Sequence, residues 1–224
     1  MDVLGLSTSE SRRWLIGVLL TVPLSVTGCA GLIGHLGYWS GASLTDPEYA
    51  ELAGRRVAVI CVADGTSYGA GTEERILARQ VSEMLEENVE EIDIVRASEV
   101  ADWVDKNGWN QVDYREVGRG VKAERVVAID LTGFRLREDQ TLYKARAELT
   151  VTVFDMTDKG REAFRRSIPE ITYPAIGFYS TSDTNEATFR QVFLNVLARR
   201  AARHFFAYDE LGESTLDPAA IRSS

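Results

Sequence analysis

The densest group of residues able to do chemistry lies at positions 64–74, DGTSYGAGTEE, a glycine-rich stretch between a strand-like run and a helix-like one. A loop in that place can cradle a phosphate, because the helix that follows points free amide groups at it. Asp64, Gly65, Tyr68, Gly69 and Gly71 are its candidate ligand or partner contacts. The details oppose an anion. A GxxxxGK[ST] loop needs a lysine, and none is present. In a GxGxxG reading opened by Gly69 and Gly71, Glu74 occupies the third glycine position. Glu73 and Glu74 would also repel an anion from that helix end, so a solvated turn whose glycines permit positive φ is the plainer reading.

Other constellations are sparser. The two histidines, His35 and His204, have no partner at ligand spacing, so no metal site is expected. Asp102 and Asp105, or Glu86 and Glu87, fall on solvated helix faces, and nothing pairs them into a desolvated acid–base couple. No serine stands in a nucleophile elbow. Cys61, inside VAVICVA, packs as a small buried hydrophobe, and its setting differs too much from that of Cys29 for a disulfide. TYP at 172–174 with GFYS at 177–180 makes an aromatic loop that lines the core or a lid, the alternative being contact with a partner. No cofactor and no enzymatic activity are expected.

Such residues need elements to hold them, and the chain supplies one domain's worth. Its 224 residues are 45% hydrophobic and 26% charged, a globular composition, with a net charge of −9. Nucleic acid is excluded as a partner because binding a polyanion takes lysine and arginine to neutralise phosphates. From Arg56 onward strands alternate with helices. Residues 57–63 form a short apolar run covered on both faces. Residues 72–88 form a helix capped by Thr72, with Ile76, Leu77, Val81, Met84 and Leu85 on one face. A second strand spans 91–97. Ser98 caps a short helix that Gly108 ends, and DYRE at 113–116 repeats the capping-box spacing to start another toward Lys122.

Three strands then follow without an intervening helix. Residues 125–136 change phase near Gly133, where a bulge is expected. Residues 142–154 alternate, with Ala145, Ala147, Leu149, Val151 and Val153 on one face and Lys144, Arg146, Glu148, Thr150 and Thr152 on a wet one. In 161–173, Pro169 points to an edge or a break. A last helix starts near Asp183, buries Phe189, Val192, Phe193, Val196, Leu197 and Phe205, and carries Arg199, Arg200 and Arg203 at its negative end. The predicted fold is α/β (α+β), a single mixed sheet of about five strands with helices packed on it, in the order β-α-β-α-α-β-β-β-α.

Ahead of this domain, Arg12 and Arg13 precede a largely apolar run over 14–26. Thirteen residues is short of the roughly 20 that span a bilayer, and suits an export signal. The run ends in Val26, Thr27, Gly28 and Cys29, which resembles the bacterial lipoprotein signal. That resemblance implies cleavage before Cys29, removal of residues 1–28, and acyl chains, palmitate among them, on Cys29. Loss of 1–28 removes two charges of each sign and leaves the net charge at −9. Ala30 after the cysteine, in place of Asp, implies the outer membrane, facing the periplasm. Residues 29–54 are read as the lipidated tether, 55–208 as the α/β domain and 209–224 as a flexible tail. Tyr38 and Trp39 either rest at the membrane interface or dock on the domain.

RRVAVICVADG, then the helix, then GVKAERVVAIDLTGF and YKARAELTVTVFDMTDKG are together similar to a group of bacterial envelope lipoproteins built on a small α/β domain. The group includes the curli secretion lipoprotein, the lipoprotein activator of penicillin-binding proteins and the Pel export lipoprotein. The amino-terminal domain of the Tol β-propeller protein is similar. The resemblance implies a membrane-anchored, non-enzymatic component that binds, activates or scaffolds an envelope assembly or export system. Its partners would be the membrane through the lipid, and an envelope protein or its own copies. The tight turns at 137–141 and 156–160 leave no segment for the curli-type membrane hairpins. The alternative is a small-molecule or nucleotide-binding protein or enzyme using the loop 64–74.

Overall fold

RVAVICVA forms β2 (Arg56–Ala63), and six of its eight residues are buried on one face or the other of a sheet. A short β1 (Leu44–Thr45) precedes it. The computed structural model describes residues 44–63, 72–107 and 113–209. All of these fall in one unit, Leu44–Ser224.

After β2 come α1 (Thr72–Asn88), β3 (Asp93–Ile94), α2 (Ala97–Asn107), α3 (Tyr114–Gly120), β4 (Arg125–Arg137), β5 (Leu142–Asp155), β6 (Arg161–Tyr173), β7 (Tyr179–Ser180), α4 (Glu186–Ala202) and β8 (Tyr208–Asp209). The main sheet has the order β3-β2-β4-β5-β6, with β7 also paired to β5. β2 is parallel to β3 and to β4, whereas β5 and β6 continue antiparallel. The mixed sheet of five long-range strands with helices against it is the architecture expected from the sequence.

The two sheet faces are covered unequally. Val57, Val59 and Cys61 look into a large core that α1 and α4 close, with Leu77, Val81, Leu85, Phe189, Phe193 and Leu197 as its main contributors. Ala58, Ile60 and Val62 look into a smaller core closed by α2 and α3, where Val100 and Val117 pack. The smaller core reaches β4 and the end of β5 only, which is why β5 alternates up to Val151. Ala145, Ala147, Leu149, Val151 and Val153 are buried, while Lys144, Arg146, Glu148 and Thr150 are not; at the strand's end Thr152 and Phe154 on that face are buried too.

Local chemistry sets the boundaries. The register of β4 on β5 shifts between Thr132 and Arg135, around Gly133 at φ +61°, a backbone angle glycine adopts at little cost. β6 is the sheet's outer strand, and its register on β5 breaks at 168–171, where Pro169 has no amide to give. Asp113 caps α3 by accepting from the Arg115 amide, as DYRE suggests. α2 and α3 meet where Gly120 lies under Trp103; an added Cβ would sit 1.8 Å from the indole nitrogen.

Four expectations are corrected. Residues 91–97 give only the two-residue β3, because the chain turns at once into α2, whose Glu99 and Val100 amides bond the Arg96 carbonyl. Ser98 is therefore inside α2 rather than its cap; Gly108 lies outside the described residues. Thr72 is the first helical residue of α1, and residue 71 is also outside them. The cap of α4 is Asn185, which accepts from the Thr188 amide, while Asp183 belongs to the preceding turn and takes a bond from the Ser182 hydroxyl. Within α4 the buried stripe runs through Phe189, Phe193, Leu194, Leu197 and Ala198, with Val192 and Val196 only partly covered.

Residues 44–54, read as the end of a tether, pack on the domain: Leu52 is fully buried, Tyr49 is 8% exposed, and β1 pairs with β8. Phe193 stacks on Phe134 and Tyr173 at the centre of the large core. Phe193→Ala is expected to cost about 3–5 kcal/mol. Phe178→Ala, at a position 61% exposed, should stay within about 0.5 kcal/mol of the parent. Urea unfolding of both variants checks the contrast.

Candidate functional site

Three places gather polar or exposed side chains that a site would need: the carboxyl end of β2, the point where the chain enters the domain, and the loop after β6. β2 lies between β3 and β4, and its two crossovers leave on opposite faces, α1 to one and α2 with α3 to the other. Open α/β sheets bind ligands beyond the carboxyl end of such a strand. The candidate contacts Asp64, Gly65, Tyr68, Gly69 and Gly71 belong to that position in the chain, and lie outside the described residues.

The described residues that frame it are acidic. Glu74, in the first turn of α1, is 5% exposed, and its Oε2 has no hydrogen-bond partner. Asp130 on β4 accepts a 2.5 Å bond from the Tyr114 hydroxyl of α3. Burial pushes the Tyr114 hydroxyl up, and the bond and charge of Asp130 push it further. Cys61 is fully buried; burial, then the charges of Glu74 and Asp130, hold its thiol well above the ordinary range. A protonated thiol is a poor nucleophile, so Cys61 is a packing residue, as its strand context suggests. Glu74 and Asp130 carry the wrong charge to receive a phosphate. Among the described residues no three His, Cys, Asp or Glu side chains are grouped to hold a metal.

A second cluster fastens the entry of the chain. Glu48 bonds Arg166 of β6 and, at 2.9 Å, Nδ1 of His204 just beyond α4. A carboxylate only accepts, so Nδ1 carries the proton and the buried Nε2 is the bare nitrogen, with no partner. Beside it, Tyr49 gives its amide to the His204 carbonyl at 3.0 Å. Its hydroxyl accepts from Arg125, which is 4% exposed and pairs with Asp155 at 2.6 Å. Burial alone would raise the Asp155 carboxyl, but the Thr157 hydroxyl and amide, the Arg125 charge and the Asp158 amide together hold it below the ordinary range. The carboxylate–imidazole pair resembles half of a catalytic relay, yet Nε2 faces no hydrogen-bonding group and Phe164 lies 6.0 Å from the ring. Its work is attachment. Sequence reading missed Glu48 because residues rich in Gly, Ser and Thr before it mask a docked segment.

The aromatic loop divides into two parts. Tyr173 and Tyr179 stack with each other and meet Phe189 tilted and edge-on respectively, lining the core as expected. Phe178 turns the other way and is 61% exposed, and Ile176 is 92% exposed. With Leu44 they are the exposed large hydrophobic side chains among the described residues. The sequence does carry a signal for this: residues 171–182, ITYPAIGFYSTS, contain no charged side chain. Cys29 and its flank Val26, Thr27 and Gly28 lie outside the described residues, as do His35, Tyr38 and Trp39.

No family model matches the chain, and no curated protein matches it. Among solved structures it is similar to the PelC dodecamer from Paraburkholderia phytofirmans, 11% identical over 73% of this chain and 95% of that one, with a TM-score of 0.44. It is also similar to lipoprotein GNA1162 from Neisseria meningitidis, at 13%, 65% and 97% with a TM-score of 0.41. A third is the LpoB C-terminal domain from Salmonella enterica, at 12%, 63% and 93% with a TM-score of 0.31. These neighbours are bacterial lipoproteins of a small α/β fold. At such identities the likeness is one of fold, and no residue's role passes from one chain to another.

The entry cluster makes a pH prediction. Burial pushes the His204 imidazole below its ordinary 6.5, against the pull of Glu48, so the folded chain holds it neutral. The unfolded chain takes up that proton first. Stability is then full above 6.5 and falls as pH drops from there toward the depressed folded value. Urea midpoints at about pH 7.5 and about pH 5.5 should show this loss, and His204→Gln should reduce it.

Proposed function

We propose that the chain is exported and lipidated at Cys29, and that its α/β domain acts at the membrane as a non-enzymatic binding or scaffolding component of a cell-envelope assembly. The observation that carries this is the run of Arg12, Arg13, an apolar stretch over 14–26 and then Val26, Thr27, Gly28 and Cys29. A thioether-linked diacylglycerol with a further acyl chain anchors stably, at about 0.8 kcal/mol per buried methylene, where one chain alone is marginal. The membrane served is the outer one, with the domain in the periplasm, on the strength of Ala30.

The described chemistry supports binding over catalysis. Cys61 is a protonated core residue, His204 is fastened to Glu48, and Asp130 is occupied by the Tyr114 hydroxyl. What the domain presents instead is surface. β1 and β8 pair side by side, Leu44 opposite Asp209, so the chain enters and leaves together beside the carboxyl-terminal halves of α1 and α4. The loop after β6 lies toward the other end, where Arg137 pairs with Glu186 at the start of α4. The partner is an envelope protein or a second copy of this chain.

Mass spectrometry of the mature amino terminus, with labelled palmitate, tests the anchor. Acylated Cys29 as the first residue is expected; Cys29→Ser should abolish labelling and leave residues 1–28 attached. An unmodified Cys29 in the parent chain would sink the proposal.

A further inference from the structure

We infer that the loop carrying Ile176 and Phe178 is a second membrane contact, seating its two apolar side chains in the interface of a zwitterionic bilayer; this rests on the lipid-anchor reading. The loop is built for exposure rather than left over from packing. Tyr173 and Tyr179, on either side of it, stack on each other, both pack against Phe189, Tyr179 edge-on, and β7 fixes Tyr179 opposite Tyr143. The base is therefore held by the core while Ile176, 92% exposed, and Phe178, 61% exposed, project beyond it.

Charge separates the bilayer from a protein surface as the occupant. In a chain with 26% charged residues, positions 171–182 have none. The polar groups that follow satisfy one another: the Ser180 and Ser182 hydroxyls lie 2.7 Å apart, and the Ser182 amide donates to Ser180 Oγ. Nearby charges are held by partners: Arg137 pairs with Glu186, Arg146 with Glu138 and Glu170, and Asp183, just past the uncharged run, accepts from the Ser182 hydroxyl. Within positions 171–182 no charge need be stripped of water when the loop meets lipid headgroups. A stable protein interface takes about 800 Å² from each partner with a matching shape; two side chains on a tip offer far less, and a bilayer interface demands no matching shape.

Two apolar side chains hold a membrane weakly. An anchor on the same chain converts that contact into an intramolecular one, at an effective concentration in about the millimolar range. Cys29 is fifteen residues before Leu44, a span of up to about 50 Å when extended. The seventeen residues of α4, Glu186–Ala202, cover only about 26 Å, so chain length lets the tip reach the bilayer that holds Cys29. The net charge of −9 selects zwitterionic over anionic lipid.

The test uses the full lipidated chain in vesicles of phosphatidylcholine and phosphatidylethanolamine, with an environment-sensitive fluorophore on Ala175→Cys. Cys61 is fully buried and Cys29 is blocked by its lipid, so labelling is selective. A blue shift and several-fold protection from aqueous iodide are expected, lost in the Ile176→Ser, Phe178→Ser double variant and absent from a probe on Glu86→Cys. Added phosphatidylglycerol should weaken the protection. A water-exposed probe on a chain shown by mass to carry lipid would overturn the inference, as would protection unchanged in the double variant. Protection seen only in native envelopes would assign the loop to a protein and also overturn it. If Cys29 proves unmodified, the anchor reading fails by itself; the same vesicles are then titrated onto the unanchored chain, where a shift lost in the double variant sustains the loop's role and no shift ends it.

Discussion

The parallel pairing of β2 with β4 is the constraint on which the rest of the structure depends. Seven residues of β2, Val57–Ala63, are matched one to one with Arg125–Leu131, and both faces of this ribbon are buried. Parallel neighbours cannot be joined by a tight turn, so each must be reached by a crossover. One crossover places α1 on the large core, and the other places α2 and α3 on the small one. Beyond Leu131, β4 outlasts β2 and has β5 alone beside it. Past that point one face of the sheet loses its helices, and ion pairs such as Arg146 with Glu138 and Glu170 take their place. Arg125 opens β4 as a buried cation, and Asp155 closes β5 beside it, so the sheet centre is pinned at its lower end by one charge pair.

Much of this was legible because strand periodicity is a local signal that burial enforces. β5 alternates from Leu142 to Val151 since one face meets the large core and the other water, and a shift of one residue would invert that pattern. Gly133 and Pro169 were readable for a different reason. Each has a backbone property, freedom at positive φ or a missing amide, that fits few places in a sheet. Helix starts were less legible. Ser98 and Asp183 have cap-forming side chains, yet Ser98 lies inside its helix and Asn185 caps α4, because neighbouring backbone decides which candidate has extended geometry.

Long-range attachment left no periodic trace. Glu48 meets Arg166 and His204, 118 and 156 positions away, and nothing near Glu48 in the sequence announces either. The same holds for β1 and β8, two residues each, which exist only as each other's partner. At the candidate site the aromatic residues were visible but their directions were not. Tyr173 and Tyr179 follow the strand pleat into the core, and Phe178, one position before Tyr179, must face the other way.

The arrangement of the entry also fixes how the domain answers a pull. A force applied through residues before Leu44 meets the β1–β8 ribbon first, and its two residue pairs would open one after the other rather than together. The load would next reach Glu48, held from two sides by β6 and His204, then the Tyr49 backbone bond, then Leu52 inside the core. Compliance is thus graded from Leu44 to Leu52: a soft outer catch at the ribbon, then a stiff inner one that carries strain straight into the sheet.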